Sequence, residues 1–308
     1  MPDTTPIVVA GGGGRLGSAV LAALRAKWPD RCLVSIDFVV PRRRVAAVAY
    51  FEADLGALPR SVAAEIRRLR EFDLLWLAAA IGAEPSDAWT MESMIAGNVL
   101  APALFLAAHG HNVRRVVFAG SVEEYGDATD QGVFRESQPL APTTAYGISK
   151  RLAEGFLTIW SRRQRVPCIT LRLASLYGPH EPLPKAITDF LRIAASGGQI
   201  SLLGGGTALR DYAFLTDAAE AFVTAAGWDG EGIFNIAHPE RLSLHELALL
   251  AIETCGSGSI GFTQSEPALR DRVMDVRRME AVLGFRCSVD ARSGLRIVAD
   301  TEKLLLRR

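Results

Sequence analysis

Short apolar runs rich in β-branched residues alternate with longer segments whose apolar positions recur every three or four residues. Pro6 to Ala10 has strand character, and Ser18 to Lys27 reads as a helix with Val20, Leu21 and Leu24 on its apolar side. Strand-like runs follow at Cys32 to Asp37 and Val45 to Phe51, the latter ending near Asp54-Leu55. Ser61 to Arg70 predicts a helix, Asp73 to Ala80 a buried strand, and Trp89 to His109 a helix made irregular by Gly97 and Pro102. Arg115 to Gly120 predicts a strand, Thr144 to Arg163 a helix and Val166 to Leu173 a strand. Strands separated by helices imply a parallel, doubly wound sheet. Continuously apolar strands fit a sheet covered on both faces. The predicted fold class is therefore α/β.

The pattern changes after Tyr177-Gly178-Pro179. A proline-containing loop is followed by a predicted helix from Ala186 to Ala195, then by Gly197-Gly198 and Gly204-Gly205-Gly206. A helix is expected over Asp217 to Ala226, a strand over Gly232 to Ala237, and a helix over Ser243 to Thr254 with Ser243 and Glu246 at capping-box positions. The tail from Asp275 again reads as helical. The expected organisation is a larger sheet domain over 1–177 and a smaller second domain over 178–308, with 211–237 returning to the first.

Between the first strand and helix lies Gly11-x-x-Gly14-Arg15-Leu16-Gly17. Glycines there permit a tight turn and close approach of a pyrophosphate, and the helix start presents free N–H groups to it. Strand, glycine turn, helix and strand in this order are the fingerprint of a Rossmann-type dinucleotide site. Gly11, Gly14, Arg15, Leu16 and Gly17 are assigned to the dinucleotide. Asp37 ends the second strand 20 residues after Gly17, where a carboxylate can accept hydrogen bonds from ribose hydroxyls. That suits NAD. Arg42, Arg43 and Arg44 follow closely and could pair with a 2′-phosphate, which keeps NADP open.

Tyr146-Gly147-Ile148-Ser149-Lys150 carries the candidate chemistry. Residues four apart share a helix face, so phenol and ammonium would lie side by side. A cation close to a phenol favours the phenolate and fits the Tyr for acid–base work.

Bulk composition narrows the partners. The 308 residues are 49% hydrophobic, and 34 basic residues balance 34 acidic ones. Neither a nucleic-acid nor a membrane surface is expected from that balance. Cys32, Cys168, Cys255 and Cys287 have neither metal nor redox spacing and are expected to be buried free thiols. There is no secretory pattern at the start and no apolar run of membrane-spanning length, so a cytoplasmic protein without a metal is expected.

The motifs together resemble the extended short-chain dehydrogenase/reductase family, in its nucleotide-sugar epimerase/dehydratase branch. Beyond the glycine frame, Asp54-Leu55 resembles the family's adenine-contacting segment, and Leu77 to Ala80 resembles the turn beside the cofactor, bringing in Ala78 and Ala79. Phe118 to Gly126 resembles the Ser-Ser-x-x-Val-Tyr-Gly stretch, and Arg172 to Pro179 the Arg-Pro-x-Asn-x-Tyr-Gly-Pro stretch. Arg210-Asp211-Tyr212 with Thr216-Asp217, Phe234 to Ile236, and Leu283 to Phe285 resemble later family segments. The resemblance implies that Ser121 hydrogen-bonds the reacting sugar oxygen, that Tyr146 removes its proton as hydride leaves for the nicotinamide, and that Lys150 binds the nicotinamide ribose. It implies that Arg210 pairs with a nucleoside diphosphate, with Arg270 or Arg272 as a second clamp and Ser175 at the sugar. Glu123 occupies the slot of the C5 base of 4,6-dehydratases, but Val122 stands where one dehydratase type has an Asp. Gly120, Glu124, Ser175 and Ala10 depart from the family pattern. The implied partner is a nucleotide-diphosphate sugar and the implied assembly a homodimer through the helices at about 98–109 and at Tyr146. Epimerisation through a 4-keto sugar is the first expectation. Dehydration, 4-keto-sugar reduction and a non-catalytic dinucleotide sensor are the alternatives.

Overall fold

The structure is a computed structural model that describes residues 3–79, 91–127, 132–182, 185–263 and 269–304. The first half lays down β1 (Ile7–Ala10), α1 (Arg15–Lys27), β2 (Leu33–Asp37), β3 (Val48–Glu52), α2 (Arg60–Arg68) and β4 (Phe72–Trp76). Then come α3 (Met91–Ile95), a π-helical turn (Ala96–Leu100), α4 (Ala101–His109) and β5 (Val113–Ser121). A 3-10 turn (Val122–Tyr125), β6 (Val133–Phe134), α5 (Ala145–Gln164), β7 (Cys168–Leu173) and β8 (Ser175–Tyr177) follow. The second half holds α6 (Ala186–Ala195), β9 (Gln199–Leu203), β10 (Leu209–Arg210), β11 (Tyr212–Phe214), α7 (Leu215–Ala226) and β12 (Gly232–Ile236). It ends with β13 (Leu242–Ser243), α8 (Leu244–Cys255), β14 (Ser259–Thr263), β15 (Val273–Met274), a π-helical turn (Met279–Leu283) and α9 (Ala291–Glu302).

Seven parallel strands form one sheet in the order β12-β7-β5-β4-β1-β2-β3. Strand order reverses between β1 and β4, and the crevice above their carboxyl ends is where such sheets bind ligands. Ile7, Val9, Leu75, Val117 and Ile169 pack on one face with Val20 and Leu24 of α1 and Phe222 of α7. Val8, Leu74, Trp76, Val116 and Phe118 pack on the other with Ile66 of α2, Phe105 of α4 and Leu157 of α5. A separate core joins Leu191 of α6, Leu247 of α8 and Leu295 of α9. That core is the second lobe, whereas α7 and β12 belong to the first.

Several elements differ from the sequence reading. β3 begins at Val48 because Ala47 takes a left-handed turn (φ 57°). The tail is interrupted at Gly284 (φ 68°), and α9 restarts where the Asp290 side chain caps Ser293 N–H. Four two-stranded pairs, β10-β13, β11-β8, β14-β9 and β15-β6, are too short to leave a periodic trace. The helical stretch Met91–Asn112 is 22 residues long and contains an 18-residue window of mean hydropathy 1.4, which is long and apolar enough to cross a membrane. Here it packs along α5, and Asn98 within it is buried and donates to the Ser149 hydroxyl at 2.8 Å. Cys32 is exposed and Cys168 half-buried, so only Cys255 and Cys287 are the buried thiols expected. The expected strand end at Ala80 and helix start at Trp89 lie outside the described residues.

Candidate active site

β1 runs into the glycine turn. Gly11 has φ +92°, and a Cβ there would lie 2.4 Å from the Ala78 backbone nitrogen. A Cβ on Gly17 would lie 2.0 Å from the Gly11 carbonyl oxygen. Only glycine fits at either place. Gly14 is the N-cap of α1 and no side chain caps that end. The helix thus points uncapped N–H groups into the crevice. Asp37 folds back on the turn, accepting from Gly13 N–H at 2.9 Å and Val39 N–H at 3.3 Å. Asp54 is exposed and accepts Gly56 N–H at 2.8 Å, while Leu55 is buried beneath it. Ala78 donates its N–H to Ala10 and lies with Ala79 at the crevice edge. Leu16 packs against the core on the α1 side of the sheet. Arg15 does not stand free over the crevice. It forms an ion pair with the buried Glu181, which also binds Lys185 at 3.0 Å, and donates to the Pro179 carbonyl at 3.2 Å. Arg42, Arg43 and Arg44 are exposed, with Arg44 over the Tyr50 ring at 5.7 Å.

The second group of side chains converges from β5 and α5. Ser121 ends β5, and its Oγ accepts Glu123 N–H at 3.2 Å. Thr144 caps α5 by accepting Gly147 N–H at 3.0 Å. Gly147 lets α5 press on the 3-10 turn, because a Cβ there would lie 2.4 Å from the Glu123 carbonyl oxygen. Tyr146 and Lys150 therefore share the face turned to Ser121, whose side chain lies close enough to favour the ionised Tyr146 phenol. Lys150 is 1% exposed. Its ammonium lies 4.3 Å over the Phe118 ring and has no hydrogen bond or ion pair among the described residues.

Burial pulls the Lys150 ammonium down to about 8, against the carboxylates of Glu124 and Glu154. Burial also pushes the Tyr146 phenol up, with Glu124 and Glu123 adding to the rise and Ser121 opposing it. The direction is opposite to the one expected from a neighbouring cation. The charges facing the phenol here are carboxylates, and the ammonium is itself desolvated.

Glu123 faces the cleft, pairs with Arg272 at 2.8 Å and accepts from the Thr144 hydroxyl at 3.4 Å. Val122 is buried in an apolar cluster with Tyr125, Phe134 and Met274. Arg210 is half-buried and donates from one nitrogen to the carbonyls of Leu209 and Arg270, at 2.7 and 2.8 Å. It makes no ion pair with Asp211 or Asp217. Its backbone bridges to Arg272, which places Arg272, more than the exposed Arg270, beside Glu123. Ser175 is exposed at the start of β8, paired in register with Tyr212.

Two features escaped the sequence reading. Arg172 of β7 is clamped by both oxygens of Glu154, at 2.6 and 3.0 Å, and donates to the Tyr125 hydroxyl at 2.9 Å. Tyr125 in turn donates to Asn235 at 2.6 Å. These motif residues build a buried scaffold and do not reach the cleft. The second feature is Glu124, fully buried, whose Oε1 accepts Ser121 N–H at 2.7 Å. Burial and then Glu154 push its carboxyl up to about 8. A cavity of about 790 Å³ lies elsewhere, lined by Thr158, Cys168 and Ile233 on the sheet face beside α5.

A glycine-turn crevice joined to a Ser-Tyr-Lys cluster is what a nicotinamide enzyme requires, and a model of the NAD dependent epimerase/dehydratase family matches residues 7–237. The chain belongs to that family. The mouse dTDP-D-glucose 4,6-dehydratase is 26% identical over 254 residues, covering 79% of this chain and 70% of that protein. The aligned regions span only 41% of its human and bovine counterparts. Among solved structures, a UDP-glucose 4-epimerase from Thermotoga maritima with UDP-glucose superposes with a TM-score of 0.84 at 20% identity, covering 97% of this chain and 98% of that one. MoeE5, in complex with UDP-glucuronic acid and NAD, superposes with a TM-score of 0.82 at 26% identity, covering 97% and 99%. The epimerase/dehydratase site here has room for the family's dinucleotide: two positions where a Cβ cannot fit, an uncapped helix start, and a buried ammonium without a hydrogen-bond partner among the described residues.

Proposed function

We propose that this chain is a nucleotide-sugar epimerase that works through transient oxidation to a 4-keto sugar. Gly11, Gly14 and Gly17 would hold the NAD pyrophosphate at the start of α1, with Asp37 and Asp54 toward the adenosine half and Lys150 at the nicotinamide ribose. Bound there, NAD supplies a reversible hydride acceptor and a positive charge beside Tyr146. Ser121 holds the sugar 4-oxygen by hydrogen bond. Tyr146 takes the proton from that oxygen on oxidation and returns it on reduction. The added positive charge counters the carboxylates that now hold the phenol neutral. Arg210 and Arg272 are placed to meet a diphosphate, whose oxygens match the guanidinium fork.

One observation favours epimerisation. Loss of water from the sugar needs an acid for the departing hydroxyl as well as a base. Val122 is packed among apolar side chains, and the Glu123 carboxylate is held by Arg272 at 2.8 Å. The described residues of the cleft thus offer the proton handling of oxidation and reduction, whereas the acid next to Glu123, Glu124, is fully buried against the Ser121 backbone and does not reach the sugar. The dehydratase reading retains two supports, the Glu123 carboxylate and the mouse relative, which is a dTDP-D-glucose 4,6-dehydratase. Purified protein with NAD and a panel of UDP-, dTDP-, GDP- and CDP-hexoses separates the two by mass spectrometry. A new isomer of unchanged mass supports the epimerase; a product lighter by one water overturns it.

We also propose a homodimer. Leu100 and Leu104, with Ile148, Leu152 and Ile159 of α5, are 38–57% exposed on two adjacent helices. A second copy of the same helices would cover them in a four-helix interface.

A further inference from the structure

We propose that Glu124 is a positioning residue that acts on Lys150 and Tyr146 from behind, and that Gly120 is the residue that makes room for it. The inference rests on the Ser-Tyr-Lys reading above. Tyr146, Lys150 and Glu154 stand one helical turn apart and form a single ridge of α5. Across from them lie Glu124 on the 3-10 turn and Arg172 on β7. Glu154 and Arg172 neutralise each other through two hydrogen bonds at 2.6 and 3.0 Å. The buried titratable groups left over are Glu124 and Lys150. Neither is discharged by a direct partner. Glu124 Oε1 accepts a backbone N–H, its Oε2 is buried with no hydrogen bond, and no ion pair joins it to Lys150. The pair is therefore coupled through the low-dielectric interior and not by contact.

Gly120 explains how a carboxylate is accommodated there. A Cβ on Gly120 would lie 2.9 Å from Glu124 Oε1, 2.9 Å from Thr170 Cγ2 and 3.1 Å from Arg172 Cγ. A glycine at 120 and a buried acid at 124 are thus sterically linked.

The consequences run through two routes. By holding Ser121 N–H, Glu124 fixes the backbone that presents the Ser121 hydroxyl to Tyr146. By its charge it favours the protonated ammonium and disfavours the phenolate. The groups facing it are Lys150, Glu154 and Tyr146 from α5, Arg172 from β7, and Ser121 from β5. The upward push on the Glu124 carboxyl and the downward pull on the Lys150 ammonium agree with two groups contending for one proton.

Glu124→Gln keeps an acceptor for Ser121 N–H and removes the charge. Both limbs of the pH profile for single-turnover reduction of bound NAD by a UDP-hexose are then expected to move to lower pH, by about half a unit or more. A purely structural role would lower the rate and leave both limbs in place, and superimposable profiles would overturn the proposal. A second arm needs no sugar. Infrared spectroscopy of the substrate-free wild type should show a protonated carboxylic acid that disappears as pH rises through about 8 and is absent in Glu124→Gln. In Lys150→Met, where the cation is gone, its midpoint should move up. A missing band, or a midpoint indifferent to Lys150→Met, would overturn the proposal even in a protein that folds and binds NAD. If no sugar nucleotide reduces NAD in the wild type, the epimerase reading falls, and the infrared arm still decides the Glu124–Lys150 coupling.

Discussion

Adding one methyl group at Gly120 is a sharp test of the packing behind the site. Gly120 lies inside β5 with ordinary strand geometry, so Gly120→Ala should relieve chain entropy by about 0.5–1 kcal/mol. Against this stand three contacts at 2.9–3.1 Å. None of those neighbours can yield cheaply. Glu124 is fully buried and bonded to Ser121 N–H, Thr170 is β-branched and 3% exposed, and Arg172 is locked to Glu154. Overpacking of this kind costs about 1–3 kcal/mol, so a net loss of about 0.5–2 kcal/mol is expected. Glu124→Ala alone orphans the buried Ser121 N–H at a cost of about 1–3 kcal/mol. In the double variant the methyl group occupies space the carboxylate has left, so the two losses should fall short of their sum by about 1 kcal/mol. Urea unfolding at one protein concentration, followed by far-UV circular dichroism, measures all four corners of this cycle. A Gly120→Ala protein at least as stable as the wild type would refute the reasoning. So would losses that add within about 0.5 kcal/mol, since contacting residues are expected to couple more strongly.

Other expectations follow from the same geometry. Tyr146→Phe should lower the rate of hydride transfer by about 10²–10⁴-fold while leaving NAD binding intact, as stopped-flow nicotinamide absorbance would show; a loss below about tenfold would remove Tyr146 from proton transfer. Arg172→Met leaves Glu154 buried and uncompensated, and should cost about 3–5 kcal/mol in chemical unfolding. Asp211 is 5% exposed and burial raises its carboxyl from 3.8 to about 7. The folded chain then keeps a proton the unfolded chain releases, so this group's contribution to stability falls as pH rises from about 4 to about 7. Asp211→Asn keeps an acceptor for Met274 N–H and should gain melting temperature over wild type at pH 8 more than at pH 4; an equal difference at both would contradict that sign. Leu104→Glu should yield a monomer in sedimentation velocity, and an undisturbed dimer would place the interface elsewhere.

The β1-turn-α1 unit and the Tyr146–Lys150 pair were legible because each is set by local spacing. The glycine frame fixes a turn wherever it falls between strand and helix, and a four-residue interval fixes a shared face. The Gly120–Glu124 relation was visible only as two unrelated departures, since what joins them is a 2.9 Å approach across a folded turn. Arg172, Tyr125 and Asn235 were visible only as members of family-like segments, without a role; their partners are one another, brought together by the fold. Asn98 was hidden by its apolar neighbours, which also gave the 91–112 stretch a hydropathy that charge counting overlooked. The Tyr146 phenol shows the remaining limit. Spacing gives the position of the cation, but proton affinity depends on desolvation and on Glu123 and Glu124 opposite.

The edge strand β12 pairs with β7 yet is separated from it by β8, α6, β9, β10, β11 and α7. A ribosome must therefore extend well past the glycine turn before the lobe that holds it can close. Until Asn235 emerges, Tyr125 has no acceptor there and the flank of β7 stays bare. A fragment ending near 177 should accordingly aggregate or be degraded rather than bind dinucleotide, and attempts to graft this nucleotide-binding half onto other proteins should carry the chain through Ile236.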